Sequence, residues 1–343
     1  MVYAKSLTRE QEEGDKIMAK DTILEIINLE VKARTPMGTL ELLNIERLEL
    51  GRSKILGIVG ESGSGKSILS LTIMGLLPNN IYVSKGDIIY NGENLLKKSK
   101  REMAQKYRGK KLTMIFQDPM ASLNPVFTVS EQFKGVIKAN NQRMNGKEIN
   151  KKALEMLELV KLSDLEITMG KYPHELSGGM RQRVLIAMAL SSDANLLISD
   201  EGTRSLDVTI QAGIIKLMED LGKRLNLSTI FISSNIALAA TVCQRLGVLY
   251  SGGLIEIGPV KEILRSPKHY YTRSFLLCLP SPDKKDTKMP IIHGRIPDPL
   301  NKPNGCLFLP RCSNFTDECS SKMPALKEIG PGHFVACYKG VKL

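Results

Sequence analysis

The sequence predicts an α/β fold built on a mainly parallel sheet with helices on both sides. Three short apolar runs, at 54–60, 195–201 and 228–234, each end in glycine or polar residues. Continuous apolar runs of this length are typical of strands buried on both faces, as in parallel sheets. Segments with helical spacing, at 67–77 and 179–192, separate these runs. This alternation predicts a parallel sheet covered by helices.

Other segments complete a predicted domain organisation. The runs at 23–33 and 40–50 alternate loosely and flank a Pro-Gly turn at 36–38, which predicts an antiparallel β subdomain. After about residue 266 the chain becomes rich in proline and polar residues. The predicted parts are a polar lead at 1–22, the main domain at 23–275 with a helical subdomain at about 119–192, and a small irregular extension at 276–343 that contains four cysteines.

Composition limits the class of protein. The 343 residues carry a formal net charge of +12, contain 42% hydrophobic residues and lack tryptophan. The basic residues are mostly scattered and aromatics are few, so we expect no nucleic-acid partner. There is no run of 18 apolar residues, so no membrane span is expected. The polar N-terminus lacks the apolar segment of a secretory signal, so none is expected.

A phosphate-binding motif follows the first apolar run. "GESGSGKS" at 60–67 fits the P-loop pattern and lies between a predicted buried strand and a predicted helix. Glycines allow backbone N–H groups to curl around phosphate oxygens, and the helix directs its positive end towards them. Lys66 is expected to reach the phosphates, and Ser67 to bind Mg²⁺. The predicted nucleotide-binding residues are Gly60, Glu61, Ser62, Gly63, Ser64, Gly65, Lys66, Ser67 and Ile68.

The run "NLLISDE" delivers two carboxylates to the end of another predicted strand. Asp200 is expected to hold Mg²⁺, directly or through water, and Glu201 is the candidate general base. An apolar run followed by Asp-Glu is common by itself and could simply cap a strand. Together with the P-loop, it favours a nucleotide hydrolase.

Further motifs give the chain a family resemblance. "ELSGGMRQR" at 175–183 resembles the signature sequence of ABC ATPases, Gln117 resembles their Q-loop, and "SLD" at 205–207 resembles their D-loop. The resemblance covers about 23–275 and implies an ABC-type P-loop NTPase. It implies that Gln117 helps to bind Mg²⁺, and that Asp207 belongs to the D-loop. It also implies that the partner subunit's ATP meets the signature residues Ser177, Gly178 and Gly179.

A narrower resemblance is to the ATP-binding subunits of oligopeptide, dipeptide and nickel importers. "FQDPMASLNP", "LSGGMRQRV" and the tail stretch at 294–312 are similar to that family. The resemblance implies a heterodimer with a second, homologous ATPase subunit, two transmembrane permease subunits and an extracellular substrate-binding protein. It implies a peripheral position at the cytoplasmic face of the cell membrane. Peptides are the expected cargo, with nickel or sugars as alternatives.

The tail cysteines have a spacing unlike that of a zinc ribbon. Cys306, Cys312, Cys319 and Cys337 follow the pattern C-x₅-C-x₆-C-x₁₇-C. Four thiolates could hold a [4Fe-4S] cluster, which the resemblance also suggests. The alternatives are zinc, or reduced thiols packed in a loop domain.

Three positions depart from the family pattern within one ATP site. Ala33, beside Arg34, stands where the family has an aromatic residue for adenine, and Gly202 replaces a proline after Glu201. The strand "STIFISS" ends in Ser234, where the family has the H-loop histidine. A serine hydroxyl is shorter and uncharged, and loss of one transition-state donor typically costs about 10²–10³ in rate. We therefore expect slow or absent hydrolysis at this chain's own P-loop.

The sequence leaves two other functions open. An ABC ATPase that acts on ribosomes or DNA would fit the positive charge, but no second cassette or long coiled-coil insertion is visible. A regulatory subunit that binds ATP without hydrolysing it would fit Ser234.

Overall fold

The computed structural model describes residues 21–192, 194–202, 207–279 and 290–340. Residues 1–20, most of the predicted polar lead at 1–22, and the segment at 280–289 lie outside the described residues. The strands are β1 (Thr22–Thr35), β2 (Gly38–Gly51), β3 (Ile55–Val59), β4 (Ile81–Tyr90), β5 (Glu93–Asn94), β6 (Leu112–Ile115), β7 (Leu196–Asp200), β8 (Ser228–Ser233), β9 (Arg245–Tyr250), β10 (Gly253–Pro259), β11 (Lys327–Gly330) and β12 (His333–Val335).

The helices follow the predicted alternation with the strands. They are α1 (Lys66–Met74), α2 (Lys100–Glu102), α3 (Pro119–Ser122), α4 (Val129–Asn140), α5 (Gly146–Leu159), α6 (Leu165–Gly170), α7 (Gly178–Leu190), α8 (Val208–Arg224), α9 (Ile236–Ala240), α10 (Val260–Arg265), α11 (Tyr270–Leu277) and α12 (Glu318–Ser321). A π-helical turn at Met103–Tyr107 follows α2, and 3₁₀ turns lie at Leu95–Lys97, Pro173–Glu175 and Leu309–Arg311. Between 119 and 190, the described residues form only helices, turns and loops.

One continuous sheet runs through the molecule in the order β5-β4-β1-β2-β10-β9-β3-β8-β7-β6. Strands β9, β3, β8, β7 and β6 are parallel neighbours. Strands β1, β2, β4 and β5 form an antiparallel wing at the other side. The expected mixture of a parallel sheet and an antiparallel β subdomain is thus present.

The strand register brings the predicted site residues to one edge of the sheet. Val59 lies opposite Ser233, and Asp200 lies opposite Ile232. The residues that follow these strands, Gly60, Glu201 and Ser234, therefore leave the sheet side by side. This edge, at the carboxyl ends of parallel strands, is where α/β proteins bind ligands.

Apolar residues fill two cores, one on each face of the sheet. In β3, Ile55 and Val59 belong to one core, whereas Leu56 and Ile58 belong to the other. A strand with both faces covered needs apolar residues at successive positions, which explains the continuous run in the sequence. The strand's central residue, Gly57, has no room for a side chain, since a Cβ would lie 2.5 Å from Leu246.

The C-terminal extension is more regular than the sequence predicted. Strand β12 pairs with both β10 and β11, so the extension continues the main sheet. Its His333 contacts the fully buried Glu256 at 2.8 Å between Nε2 and Oε1, in a structural position. The extension also joins the larger core through Cys306, Leu307 and Phe308. Sequence alone did not indicate this pairing, because β11 and β12 are short and their partner lies far away in the chain.

Membrane-crossing helices are absent from the described residues. None of their helices is long and apolar enough to cross a bilayer.

Phe308 provides a test of how firmly the extension is attached. Its ring is 2% exposed and lies 5.3 Å from Tyr250 and 5.5 Å from Tyr271, centroid to centroid. We predict that Phe308→Ala lowers the free energy of unfolding by about 3–5 kcal/mol, because it leaves a cavity in the core. Urea unfolding of the full chain measures this loss. Phe315→Ala is the control, since Phe315 is 60% exposed; equal effects of the two changes would contradict the packing argument.

Candidate nucleotide-binding site

The P-loop has the expected position between β3 and α1, and its glycines are needed there. A Cβ on Gly60 would lie 2.1 Å from the Leu249 carbonyl oxygen. Gly65 has a φ of 100°, a left-handed conformation in which it caps α1. The N-cap residue of α1, Gly65, has no side chain to cap the first N–H groups, so this nine-residue helix can offer them to an anion.

Lys66 lies within the loop rather than in solvent. Its ammonium donates to the carbonyls of Gly60 and Glu61, each at 2.9 Å, and lies 3.8 Å from Glu201 Oε1. The side chain is only 5% exposed. A buried positive charge held by carbonyls at the loop is placed to attract phosphate.

Asp200 lies against the start of α1, where two hydroxyls contact it. Ser67 Oγ lies 3.2 Å from Oδ1 and Ser70 Oγ lies 3.0 Å from Oδ2. Burial raises the pKa of the Asp200 carboxyl, although the two serine hydrogen bonds oppose the rise. A folded-state pKa above the ordinary value means that the native state favours the protonated form. Stability is therefore lost as pH rises from the ordinary value through the raised pKa.

Glu201 and Gln117 meet across the site. Gln117 Nε2 donates to Glu201 Oε2 at 3.1 Å. Glu201 itself has a φ of 46°, in the left-handed region, and its amide donates to the Ile232 carbonyl at 3.0 Å. That amide contact ties the turn after β7 to the end of β8 and fixes where the carboxylate lies.

These elements enclose a cavity of about 200 Å³. It is open to solvent and lined by Leu42, Ser62, Gly63, Gly65, Lys66, Ser67, Ile68, Gln117 and Glu201. The P-loop, the Q-loop residue and the candidate base thus share one cavity. Its chemistry suits a polyphosphate with Mg²⁺. Backbone amides and a lysine can bind phosphate oxygens, and side-chain oxygens can bind a hard cation.

Gly202, one of the three departures, is closely packed. A Cβ there would lie 3.0 Å from Ile115 and 3.2 Å from the Gln182 amide nitrogen. Among the described residues, both polar atoms of the buried Gln182 side chain lack a hydrogen-bond partner, as does the nearby Ser199 hydroxyl. The adjacent Thr203 to Leu206, which include most of the predicted D-loop, lie outside the described residues.

Ser234 follows β8 at the expected edge, and it is half-buried. It is not among the described residues that line the 200 Å³ cavity. Its neighbour Asn235 caps α9, with the side chain accepting from the Leu238 amide at 3.1 Å. Of the two polar residues after this apolar strand, Asn235 therefore has a structural role as a helix cap.

The signature residues form the beginning of a separate helix. Ser177 caps α7 and accepts from the Met180 amide at 3.3 Å, followed by Gly178 and Gly179. None of the three appears among the described residues lining the cavity. Gly179 packs against α8, since a Cβ there would lie 2.9 Å from Ile210, and Asp207 caps that helix through the Ile210 amide at 3.0 Å.

The residues at the expected adenine position have other contacts. Ala33 is buried within β1, and the Arg34 guanidinium lies over the ring of Tyr82, 4.9 Å from its centroid. A cation over a ring face is a favourable contact. Arg34 is thus engaged with β4.

The four tail cysteines do not form a metal site in the structure. Within the described residues, which include all four, no group of three or more His, Cys, Asp or Glu is arranged to hold a metal ion. Burial raises the pKa of the Cys306 thiol to about 11, and the other three thiols add to the rise. Burial also raises the pKa of Cys312 and Cys337. The arrangement of the described residues therefore does not support the predicted iron–sulfur cluster.

Three contacts in the site were missed by the sequence analysis. Ser70 could have been found, since it lies one helical turn after Ser67. Tyr271 Oη accepts the Glu61 amide at 3.0 Å, and Arg311 contacts both Glu61 carboxylate oxygens at 3.2 Å. These two residues lie 210 and 250 positions from Glu61, and no local pattern marks them.

The fold and this site define a P-loop nucleotide-binding protein, and comparison with known proteins gives the family. The ABC transporter family model matches residues 43–204, and the model for the oligopeptide/dipeptide transporter C-terminal region matches residues 255–319. The chain belongs to the ATP-binding proteins of ABC transporters, as the motif order predicted.

Two full-length relatives and one solved structure illustrate the match. The dipeptide transport ATP-binding protein DppD of Lactococcus lactis is 39% identical, over 92% of this chain and 90% of its own. The oligopeptide transport ATP-binding protein OppD of Escherichia coli is 39% identical, over 94% of each chain. The dimeric structure of the bacterial ABC transporter cassette MJ0796 matches with a TM-score of 0.62 and 23% identity, over 69% of this chain and 99% of its own. This structural match confirms the predicted fold class.

The buried Asp200 carboxylate provides a test of the site. We predict that Asp200→Asn raises the melting temperature of the nucleotide-free protein at neutral pH by about 2–4 °C, because it removes a buried charge. The same change should abolish most of the stabilisation by MgATP, since it removes a carboxylate from the metal's ligands. Thermal unfolding with and without MgATP measures both effects.

Asp317→Asn is the matched control, because Asp317 lies exposed at the start of α12. It should change neither quantity. A destabilised Asp200→Asn variant that keeps its full response to MgATP would contradict this role.

Proposed function

We propose that the chain is a nucleotide-binding subunit of a membrane importer for oligopeptides or dipeptides. The observation that carries this proposal is similarity along both parts of the chain: the ATPase region and the C-terminal region of oligopeptide/dipeptide transporters each match. Two of the relatives are named for dipeptide and oligopeptide transport. The cavity at the P-loop supplies the chemistry that such a subunit needs.

The proposed roles follow the geometry of the cavity. Residues Gly60–Ile68 bind the phosphates of ATP, with Lys66 supplying positive charge. Ser67, Gln117 and Asp200 would hold Mg²⁺, which neutralises charge on the phosphate oxygens. Glu201 accepts a proton from the attacking water, whose oxygen bonds to the γ-phosphorus as the bond to the bridging oxygen breaks. Gln117, which donates to Glu201, orients this carboxylate.

The signature residues serve a second ATPase subunit in this proposal. Ser177, Gly178 and Gly179 begin a helix of 13 residues, and the described lining of this chain's own cavity does not include them. A helix N-terminus suits an anion, here the phosphate of ATP bound to the partner. In a head-to-tail heterodimer, this chain's P-loop and the partner's signature form one site, and the opposite pair forms the other.

The two sites are proposed to work unequally. Ser234 lies at the end of β8, next to the turn that carries Glu201. Its hydroxyl is too short and too weakly basic to replace the imidazole that the family has there. The site at this chain's P-loop therefore holds ATP and hydrolyses it slowly, and the partner's site carries most of the turnover.

The remaining partners follow from the importer function. Two permease subunits would cross the membrane, and an extracellular binding protein would deliver the peptide. This chain would lie at the cytoplasmic face of the membrane, as a peripheral subunit.

The asymmetry can be tested by removing each general base in turn. We predict that Glu201→Gln leaves most of the ATPase rate of the assembled transporter intact. The equivalent change in the partner subunit should lower the rate by about 10²–10³, since it removes a general base from the faster site. Steady-state ATPase assays of the two variant complexes measure this. If Glu201→Gln abolishes turnover and the partner's change does not, the asymmetry is wrong.

Restoring the histidine tests the same proposal from the other direction. We predict that Ser234→His raises the ATPase rate about tenfold or more in a complex whose partner site is disabled, because it returns one transition-state donor. Ser234→Gln is the control, with a side chain of similar reach but no imidazole. Equal rates for wild type and both variants would mean that Ser234 does not limit hydrolysis.

The iron–sulfur cluster stays a prediction based on the cysteine spacing and the family resemblance. The test is metal and sulfide analysis of the full chain purified anaerobically. A brown chromophore with about four iron atoms per chain would confirm the cluster. Colourless protein without iron would leave reduced thiols, as the structure has them. Zinc without iron would favour a zinc site.

A further inference from the structure

Arg311 of the C-terminal extension reaches the phosphate-binding loop. Its Nη1 donates to both carboxylate oxygens of Glu61 at 3.2 Å, and to Tyr250 Oη at 3.3 Å. The carbonyls of Ile292 and His293 accept from its other two nitrogens, each at 3.1 Å. The Arg311 side chain is 5% exposed, so this charge lies in the interior with all three nitrogens engaged.

Every polar group of Glu61 has a hydrogen-bond or ion-pair partner. Arg311 contacts its carboxylate, and the Tyr271 hydroxyl accepts its amide at 3.0 Å. Its carbonyl accepts from the Lys66 ammonium at 2.9 Å and from the Ser64 amide at 3.2 Å. Because Glu61 is the first variable residue of the P-loop, its position fixes the start of the loop and the carbonyl that holds Lys66.

The extension supports the loop at a second point. Lys302 donates to the Ser251 carbonyl at 2.7 Å and lies 3.6 Å from Glu41. The next residue, Gly252, donates its amide to the Ser64 carbonyl of the P-loop at 3.0 Å. Two basic residues of the extension thus reach the loop, one directly and one through the turn between β9 and β10.

We propose that Arg311 is a positioning residue for nucleotide binding, which makes the C-terminal extension a working part of the ATP site. The inference rests on the proposed function, since it assumes that the P-loop binds ATP. Glu61 carries a negative charge at a loop that must accept a polyphosphate. Arg311 neutralises that charge and holds the carboxylate away from the anion, while its other contacts anchor it in the extension.

The position of Glu61 explains why a buried arginine is needed. A carboxylate that is 25% exposed beside the phosphate cavity repels the ligand unless a cation pairs with it. Arginine suits this place because its planar fork can serve the carboxylate and two backbone carbonyls together. Without Arg311, Glu61 would be an unpaired negative charge directly before Ser62, which lines the phosphate cavity.

Isothermal titration of the purified full chain with MgATP tests this role. Arg311→Gln should weaken ATP binding about tenfold, as expected for the loss of a hydrogen-bonded charge pair. Glu61→Gln removes the charge that Arg311 neutralises, so Arg311→Gln should weaken binding much less in the Glu61→Gln background than in the wild-type background. The double variant, Arg311→Gln with Glu61→Gln, should recover most of the lost affinity. Arg295→Gln, an exposed arginine of the same extension, is the control and should bind like wild type.

The outcomes separate this inference from the proposed function. If wild type does not bind MgATP, the proposed function fails. If wild type binds and Arg311→Gln binds equally well, or the double variant is as weak as Arg311→Gln, the positioning role is overturned. Should Arg311→Gln not fold, Arg311→Lys keeps the charge but cannot serve all the acceptors. It should then show a smaller loss that Glu61→Gln again relieves; a loss that persists would overturn the role.

Discussion

The site depends on one constraint: three parallel strands end in register at the same edge of the sheet. Val59 opposite Ser233, and Asp200 opposite Ile232, place the P-loop, the acidic turn and the end of β8 beside one another. A slip of one residue would exchange the two faces of a strand. Both faces of β3 are buried, so the cores on either side hold that register. Packing far from the cavity therefore determines the chemistry within it.

The parts of the site that could be predicted are those written in short stretches of sequence. The P-loop and the Asp200–Glu201 pair are contiguous, and each follows an apolar run that identifies its strand. The helix and strand pattern carries the same kind of information, which is why the parallel sheet and its antiparallel wing were predictable. Ser70 was within reach by the same reasoning, since helical spacing alone places it beside Ser67.

The parts that could not be predicted depend on contacts between distant segments. Tyr271 and Arg311 meet Glu61 only because α11 and the extension fold back against the loop. Strand β12 is three residues long, and its pairing with β10 and β11 makes it a strand. The cysteine spacing, in contrast, predicted a site that the structure does not support. It suggested a cluster, whereas the structure has two buried and two half-buried thiols and no metal-binding group among the described residues.

The contact between Arg311 and Glu61 joins two residues that are synthesised at very different times. Glu61 leaves the ribosome 250 residues before its partner, along with a P-loop that already has all its glycines and Lys66. During most of synthesis, this loop carries a carboxylate that no arginine neutralises. The segment that carries Arg311 and adds β12 to the sheet is made only after the P-loop. A nascent chain that ends before Arg311 would therefore contain the whole P-loop motif without the arginine that pairs with Glu61, so the proposed binding site depends on a segment that is synthesised much later.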